Sequence, residues 1–293
     1  MDTKYYQAMI MVASKGTLSA AANELGYTQS ALTQMLYKVE EKLDLKIFER
    51  TNKGVVLTRD GERMMPLFRE LVRCDDKIRQ EAAFLNGLET GDVRIASYSS
   101  FAIEWVARIV AEFGKEHPGI CIDVQEIYNY HEAEEMLKND ECDIAFCRYR
   151  EKYGLFGEPL IKDRYTITMS QDNPLAKNSH ITMKELRRLN VLGSKNGLTD
   201  MDEQDYPEMK KLEEEAMYST SMDEMLYSMV KHDIGVMFST ELMAPSSKAD
   251  GIVSLPIYPD HYRTLGYYVK NPARLSSAAA MFIEYTKRIV KQK

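Results

Sequence analysis

The sequence predicts an α/β fold in three parts: a winged helix-turn-helix head, one long helix, and a two-lobed body of alternating strands and helices. Three patterns carry this. Short helical apolar spacings end at Gly16 and Gly26 near the start, Gly61–Leu88 keeps a four-and-three apolar spacing, and from Val93 onward strand-like and helix-like stretches alternate. The expected boundaries are 1–60 for the head, 61–90 for the linking helix and 91–293 for the body. Within the body, the first lobe takes 91–161 and 263–293 and the second takes 162–262.

In the head, Lys4–Ser14 places Tyr6, Met9, Ile10 and Ala13 on one helical face. Ser19–Leu25 is a second, short helix. Thr28 reads as an N-cap, and the third helix runs to Leu43 with Leu32, Met35, Leu36 and Val39 inward. Ala22 stands where two helices cross and only a small side chain fits, and Gly26 supplies the positive φ of the turn. Ser30, Thr33, Gln34 and Tyr37 then share the outer face, where hydroxyls and amides suit base edges and phosphates. A plain three-helix bundle with a polar face is the other reading of these residues. Leu45–Phe48 and Val55–Thr58 are expected as two strands around the turn Asn52-Lys53-Gly54, forming the wing.

Charge agrees with a head that meets an anionic partner. Residues 1–60 hold eight Lys/Arg against seven Asp/Glu, a net +1, which leaves −8 of the total −7 on the rest. A slightly basic head on an acidic body argues against an indiscriminate basic coat.

In the long helix, Met64, Phe68, Leu71, Ile78, Ala82 and Leu85 form a narrow coiled-coil-like stripe interrupted by Asp75, which suits self-association. Packing of this helix on its own domain is the alternative. Pro66 lies in the first turns, where proline is tolerated.

In the body, Val93–Ser97, Ile120–Ile127, Cys142–Cys147, Tyr165–Ser170, Met217–Thr220, Gly235–Phe238 and Leu265–Val269 read as strands. Phe101–Lys115, Glu132–Lys138, Met183–Leu189, Met222–Lys231 and Ser276–Val290 read as helices. Such alternation predicts parallel sheets covered on both faces, with a ligand cleft at the carboxyl ends of the strands. Tyr98, Ser99 and Ser100 stand at that edge before a helix, whose free N–H groups favour an anion. Tyr128 and Asn129 end the second strand, and Arg148, able to pair bidentately with a carboxylate, ends the third. Asn196, Ser219 and Phe238, with Ser194, Lys195 and Ser221, are candidates from the second lobe. The serines are also ordinary helix caps, Arg148 has Asp143 and Glu151 as internal partners, and Tyr98 and Tyr128 are large enough to fill the cleft.

Five segments of the head, in order, resemble one family. They are Gly16-Thr17-Leu18-Ser19-Ala20-Ala21-Ala22, Thr28-Gln29-Ser30-Ala31-Leu32-Thr33-Gln34, Val39-Glu40-Glu41-Lys42-Leu43, Ile47-Phe48-Glu49-Arg50 and Leu57-Thr58-Arg59-Asp60-Gly61. This head is similar to that of the LysR-type transcriptional regulators, and the likeness extends over nearly the whole chain, weakening between Thr199 and Met217. The resemblance implies a winged helix-turn-helix reading the major groove of promoter DNA, a dimerising linker helix, and a periplasmic-binding-protein-like effector domain. It also implies a homodimer or homotetramer. By motif position, Thr28, Gln29, Ser30, Thr33 and Gln34 would face DNA, with Arg50 and Lys53 at the wing, and Arg148 would match a position that holds an anionic effector. The family usually has Pro at Ser30, often Arg at Gln34, a basic residue at Tyr37 and Gly at Asp44. Those departures bear on which DNA is read, not on the fold.

Catalysis is not expected. The five histidines lack ligand spacing, and no GxSxG, Walker or HExxH pattern occurs. No cofactor or metal is expected. Cys142 and Cys147, five apart on one strand, fall on opposite faces, which opposes a local disulfide. Ala8–Ser14 is too short and too soon followed by polar residues to be a leader, and no run nears the ~20 apolar residues of a membrane span. The chain therefore reads as cytoplasmic. The competing class is a small-molecule binding protein or enzyme carrying a partner-binding helical head.

Overall fold

Each helix of the head starts at a side-chain cap and ends at a residue that can turn left-handed. In the computed structural model, which describes residues 2–52, 54–151, 154–195, 206–244 and 251–291, α1 (Thr3–Lys15), α2 (Leu18–Leu25) and α3 (Gln29–Leu43) are capped by Asp2, Thr17 and Thr28. Gly26 ends α2 with φ 68°. Asp44 ends α3 with φ 51°, at the position where the resemblance expects glycine. A short polar side chain tolerates that region better than most.

The wing is β1 (Phe48–Thr51) against β2 (Gly54–Leu57), antiparallel. The first wing strand therefore starts three residues later than Leu45. The cause is Glu40 on α3, whose Oε1 accepts the N–H groups of Ile47 at 2.8 Å and Phe48 at 3.1 Å. Those donors are lost to any strand partner. The Val55 N–H donates to the Gly16 carbonyl at 2.7 Å, docking the wing on the turn after α1.

Helix α4 (Arg59–Leu85) begins at Thr58 and contains Pro66. Gly61 is required at its start, since a Cβ there would stand 2.2 Å from the Ile47 carbonyl oxygen. The expected stripe divides in two. Phe68 is buried in the head's own core with Tyr6, ring centroids 5.1 Å apart, and Met64 packs on the same cluster. Leu71, Ile78 and Leu85 remain exposed, at 41%, 63% and 85%, with Ala82 exposed between them. Asp75, which interrupts the stripe, accepts from Thr3 at 3.0 Å and pairs with Arg79. Phe68 thus belongs to packing within the chain, because α1 lies along this part of α4 and covers it.

The body's elements follow in chain order. They begin β3 (Gly91–Ser97), then α5, a helix of three segments Ser99–Phe101, Ala102–Val106 and Ala107–Glu116, then β4 (Ile120–Glu126), α6 (Tyr130–Lys138) and β5 (Ile144–Arg148). The middle of α5 is one widened turn, with the Ala107 N–H bonded to the Ala102 carbonyl. Next come β6 (Phe156–Ser170), β7 (Ile181–Thr182), α7 (Met183–Leu186), β8 (Val191–Ser194), α8 (Pro207–Glu214) and β9 (Tyr218–Thr220). The chain ends α9 (Asp223–Lys231), β10 (Val236–Thr240), β11 (Ile252–Tyr258), β12 (Tyr262–Val269) and α10 (Ser277–Val290).

The sheets are mixed, not parallel throughout. Strands β4, β3 and β5 are parallel, but β12 runs antiparallel to β5 and to β6. The first half of β6 pairs with β12, and its second half pairs with β10 and β11. One strand of 15 residues therefore belongs to two cores. One core, around Ile95, Phe146 and Phe282, includes α10. The other surrounds Tyr165, Ile167 and Phe238. The sequence reading missed β7, β8, β11, α8 and the first half of β6. Strand β6 begins with Gly157 and Pro159, and β11 contains Pro256, residues that normally argue against strands. Cys142 and Cys147 are buried thiols and form no disulfide, consistent with core residues. No described helix is long and apolar enough to cross a membrane.

Candidate nucleic-acid interface and inter-lobe cleft

On α3, Leu32, Met35, Leu36 and Val39 point inward and are buried. The helical period leaves Gln29, Ser30, Gln34 and Tyr37 exposed on the opposite side, with Thr33 half-buried. Thr28 Oγ1 caps the Ala31 N–H and lies 3.1 Å from Ser30 Oγ. The Thr33 hydroxyl donates to the Gln29 carbonyl at 2.8 Å. Three of the expected hydroxyls, of Thr28, Ser30 and Thr33, are thus engaged locally, while Gln29 and Gln34 are exposed. Arg50 is exposed on β1. It lines, with Thr33, Tyr37, Glu40 and Lys46, a recess of about 310 Å³ between helix and wing. Lys53 lies outside the described residues. Glu40 was not anticipated as a site residue. It pairs with Lys46 at 3.1 Å as well as holding the wing backbone, so it sets the position of Arg50 relative to α3.

The residues expected to line a cleft are divided between the two lobes. Tyr98 and Phe238 correct the expectation. Both are buried within the cores of their lobes rather than presented at a surface: Tyr98 follows β3 into the first core, and Phe238 lies mid-strand in β10, where every residue is buried. Asn129 Oδ1 accepts the Glu132 N–H at 2.9 Å, so it caps α6. Tyr128 is exposed, and its hydroxyl donates to Glu126 at 3.1 Å. That hydrogen bond to a carboxylate holds its phenol above the usual range. Burial, then the facing charge of Glu126, raises Asp223 from the opposite lobe. The rim at this end is acidic. Ser219 is exposed on β9, Arg148 is buried at the end of β5, and Asn196 lies outside the described residues.

The link between the two lobes holds residues that sequence reasoning missed. Arg263 on β12 and Asp163 on β6 are direct cross-strand partners. Their side chains are 1% and 0% exposed, with guanidinium and carboxylate 2.8 Å apart. Arg263 Nη2 also donates to Ser100 Oγ at 2.8 Å and to Thr240 Oγ1 at 3.3 Å. Asp163 accepts the Leu242 N–H at 3.1 Å. One buried guanidinium therefore ties the start of α5 in the first lobe to the end of β10 in the second. Ser100, expected to serve a ligand, already accepts from Arg263. No pattern in the sequence links residues 163 and 263, since their pairing arises only when β6 and β12 align.

No grouping of three or more His, Cys, Asp or Glu able to hold a metal occurs among the described residues. Comparison with known proteins gives two matches to family descriptions. Residues 4–62 match the bacterial regulatory helix-turn-helix protein of the lysR family, and residues 86–290 match the LysR substrate binding domain. An uncharacterised HTH-type transcriptional regulator of Bacillus subtilis, YvbU, is 25% identical over 295 residues, covering 99% of both chains. The uncharacterised HTH-type regulator YbhD of Escherichia coli is 26% identical over 279 residues, 94% of this chain and 88% of that one. In fold, the chain is similar to a full-length OxyR variant from Pseudomonas aeruginosa, with a TM-score of 0.72 at 17% identity, covering 99% and 98% of the two chains. It is also similar to full-length CbnR in complex with its target DNA, with a TM-score of 0.68 at 15% identity, covering 98% and 99%. The chain belongs to the LysR family of bacterial helix-turn-helix transcriptional regulators, with a DNA-binding head and an effector-binding body, and is not an enzyme.

Proposed function

We propose that this regulator reads a promoter through Gln29, Gln34 and Tyr37 on α3, with Thr28, Ser30, Thr33, Arg50 and Lys53 positioning it on the phosphates. The observation that carries this reading is the exposed amide face of α3 beside Arg50, at a spacing held by Glu40. The chain divides at 1–60, 61–90 and 91–293, acts in the cytoplasm, and assembles through α4 as a homodimer or homotetramer. Phosphate contacts supply salt-dependent affinity and base contacts supply discrimination. Arg50→Ala is therefore expected to weaken binding to every sequence and reduce the log–log salt slope by about one. Gln34→Ala is expected to lose roughly 1–3 kcal/mol of discrimination at one base pair. Titrations on DNA upstream of the neighbouring gene, at several salt concentrations, measure both. Parent-like behaviour of both variants sinks the assignment.

The effector is a small anion held between the lobes, its charge against Arg148 and the start of α5 at Ser99. Support comes from the position of Arg148 at a strand end. The acidic rim at Glu126 and Asp223 orients the charged end inward. Unequal affinity for two lobe arrangements is what moves the heads, since equal affinity shifts nothing. Arg148→Ala is expected to keep basal DNA binding and lose the ligand response. Calorimetry on parent and variant with metabolites that shift promoter binding decides this, and unchanged affinity in the variant rejects the role.

A further inference from the structure

Helix α4 does more than leave the head. Its outer half leans on the first lobe, and between them lies a cavity of about 570 Å³, a size typical of small-molecule sites. One wall is α4 and the other is the segment preceding β5 together with the loop between β12 and α10. We propose that this cavity is a second effector site, distinct from the inter-lobe cleft, that takes a small organic monoanion bearing hydroxyl or amino donors.

Charge argues for a monoanion. Three ion pairs cross or line the cavity: Arg73 with Asp143, Lys270 with Asp140 at 2.6 Å, and Arg274 with Glu70 at 3.2 Å. Lys77 is the remaining charged residue of the lining and makes no ion pair with another described residue. The lining is therefore one positive charge in excess, four cations against three carboxylates. The first turn of α10 does not supply the anion's partner. Its Ser277 N–H and hydroxyl already donate to Glu81 of α4, each at 2.9 Å.

Hydrogen bonding argues for the donors. Gln80 lines the same cavity, and its Oε1, buried beside Gly91, has no hydrogen-bond partner. A buried acceptor left unmade is a standing penalty, which an O–H or N–H of a ligand removes. Beside it, Asn271 uses its Oδ1 on the Ala273 N–H at 3.0 Å and leaves its amide group for an acceptor. A molecule with one anionic end and a hydroxylated body meets Lys77, Asn271 and Gln80 together. Lodged there, it fixes the angle between α4 and the first lobe, and so biases the spacing of the heads without entering the cleft.

Cys74 makes the site testable in the full-length protein. It lines the cavity one helical turn from Lys77 and is exposed, as is Cys121 on β4, which lies outside the cavity. Cys142 shares the cavity, but burial pushes its thiol up to about 12, so it stays silent. Alkylation by iodoacetate, a monoanion, is compared with alkylation by neutral iodoacetamide, site by site, by peptide mass spectrometry. The iodoacetate-to-iodoacetamide rate ratio at Cys74 is expected to exceed that at Cys121 by about tenfold, as one cation at short range implies, and to fall to the Cys121 value in Lys77→Met. Any change in thiolate fraction affects both reagents equally and leaves the ratio untouched. Gluconate is expected to protect Cys74 from iodoacetamide more than hexanoate does, with Gln80→Leu removing the difference. Equal ratios at the two thiols overturn the site. So does a Cys74 that reacts with neither reagent, because a cavity closed to two-carbon molecules binds no effector. Equal protection by gluconate and hexanoate overturns the role of Gln80. In each variant, an unchanged response to the cleft effector separates this site from that one.

Discussion

Asp163→Asn is expected to destabilise the body by about 3–5 kcal/mol, because it leaves the Arg263 guanidinium charged and uncompensated in the interior. Arg263 is the largest of the fully buried side chains, and its partner is equally inaccessible. The substitution keeps the shape of the side chain but offers its amide either to Arg263 or to the Leu242 N–H, both donors, so one contact becomes repulsive. Against a total stability of roughly 5–15 kcal/mol, such a loss is large. The single tryptophan, Trp105, lies buried in the first lobe's core and reports the transition by fluorescence during urea unfolding. A loss under about 1 kcal/mol would place the pair among ion bridges that solvent reaches and would refute a buried ionic link between the lobes. Replacing both partners, Asp163→Leu with Arg263→Met, is expected to recover much of the loss, since an apolar pair leaves no buried charge. The double variant, if folded, should also loosen the link from Ser100 to Thr240 and change how the lobes respond to effector.

Leu71→Glu with Ile78→Glu is expected to separate the heads and lower promoter affinity by about 100-fold or more, the usual scale when two linked contacts become independent. These residues are chosen because the fold leaves them uncovered. Phe68 and Met64, on the same helix, are held by the head's own core, so changing them would test folding instead of assembly. Leu71 and Ile78 are seven residues apart and fall on one face of α4, the spacing of a coiled-coil seam. A dimer through this face sets two copies of α3 at a fixed separation, about one helical turn of DNA or a multiple of ~34–36 Å. Sedimentation of the parent as a monomer at micromolar concentration would refute the seam. A variant that turns monomeric yet binds the promoter as the parent does would show that the seam plays no part in DNA recognition.

The head was legible in the sequence nearly residue by residue, since its signals are local. Thr17 and Thr28 cap helices within three residues of themselves, Gly26 turns within one, and the apolar spacing of α3 repeats within a turn. The wing was legible as a hairpin but misplaced by three residues. What moved it was Glu40, seven and eight positions upstream of the backbone it binds. The same limit applies to α4. Periodicity identified its apolar stripe, but only the approach of α1 decided that Phe68 faces inward while Ile78 faces out.

In the body, sequence alone determined the alternation of strands and helices and the family, and led to the expectation of a cleft at strand ends. Tertiary structure decided which polar groups occupy that cleft. Ser100 reads locally as a helix start, yet its hydroxyl is claimed by Arg263 from 163 residues away. Tyr98 and Phe238 were expected at strand ends, yet burial takes them into the cores, Phe238 from the middle of β10. Strand β6 was half invisible because its first residues include glycine and proline, and it exists through pairing with β12 rather than through propensity. The cavity between α4 and the first lobe has no sequence signature at all, since its walls meet only once the long helix docks. Caps, turns and periodicities are set by neighbours along the chain. Buried ion pairs, unmatched acceptors and cavities are set by neighbours in space, which no local pattern encodes.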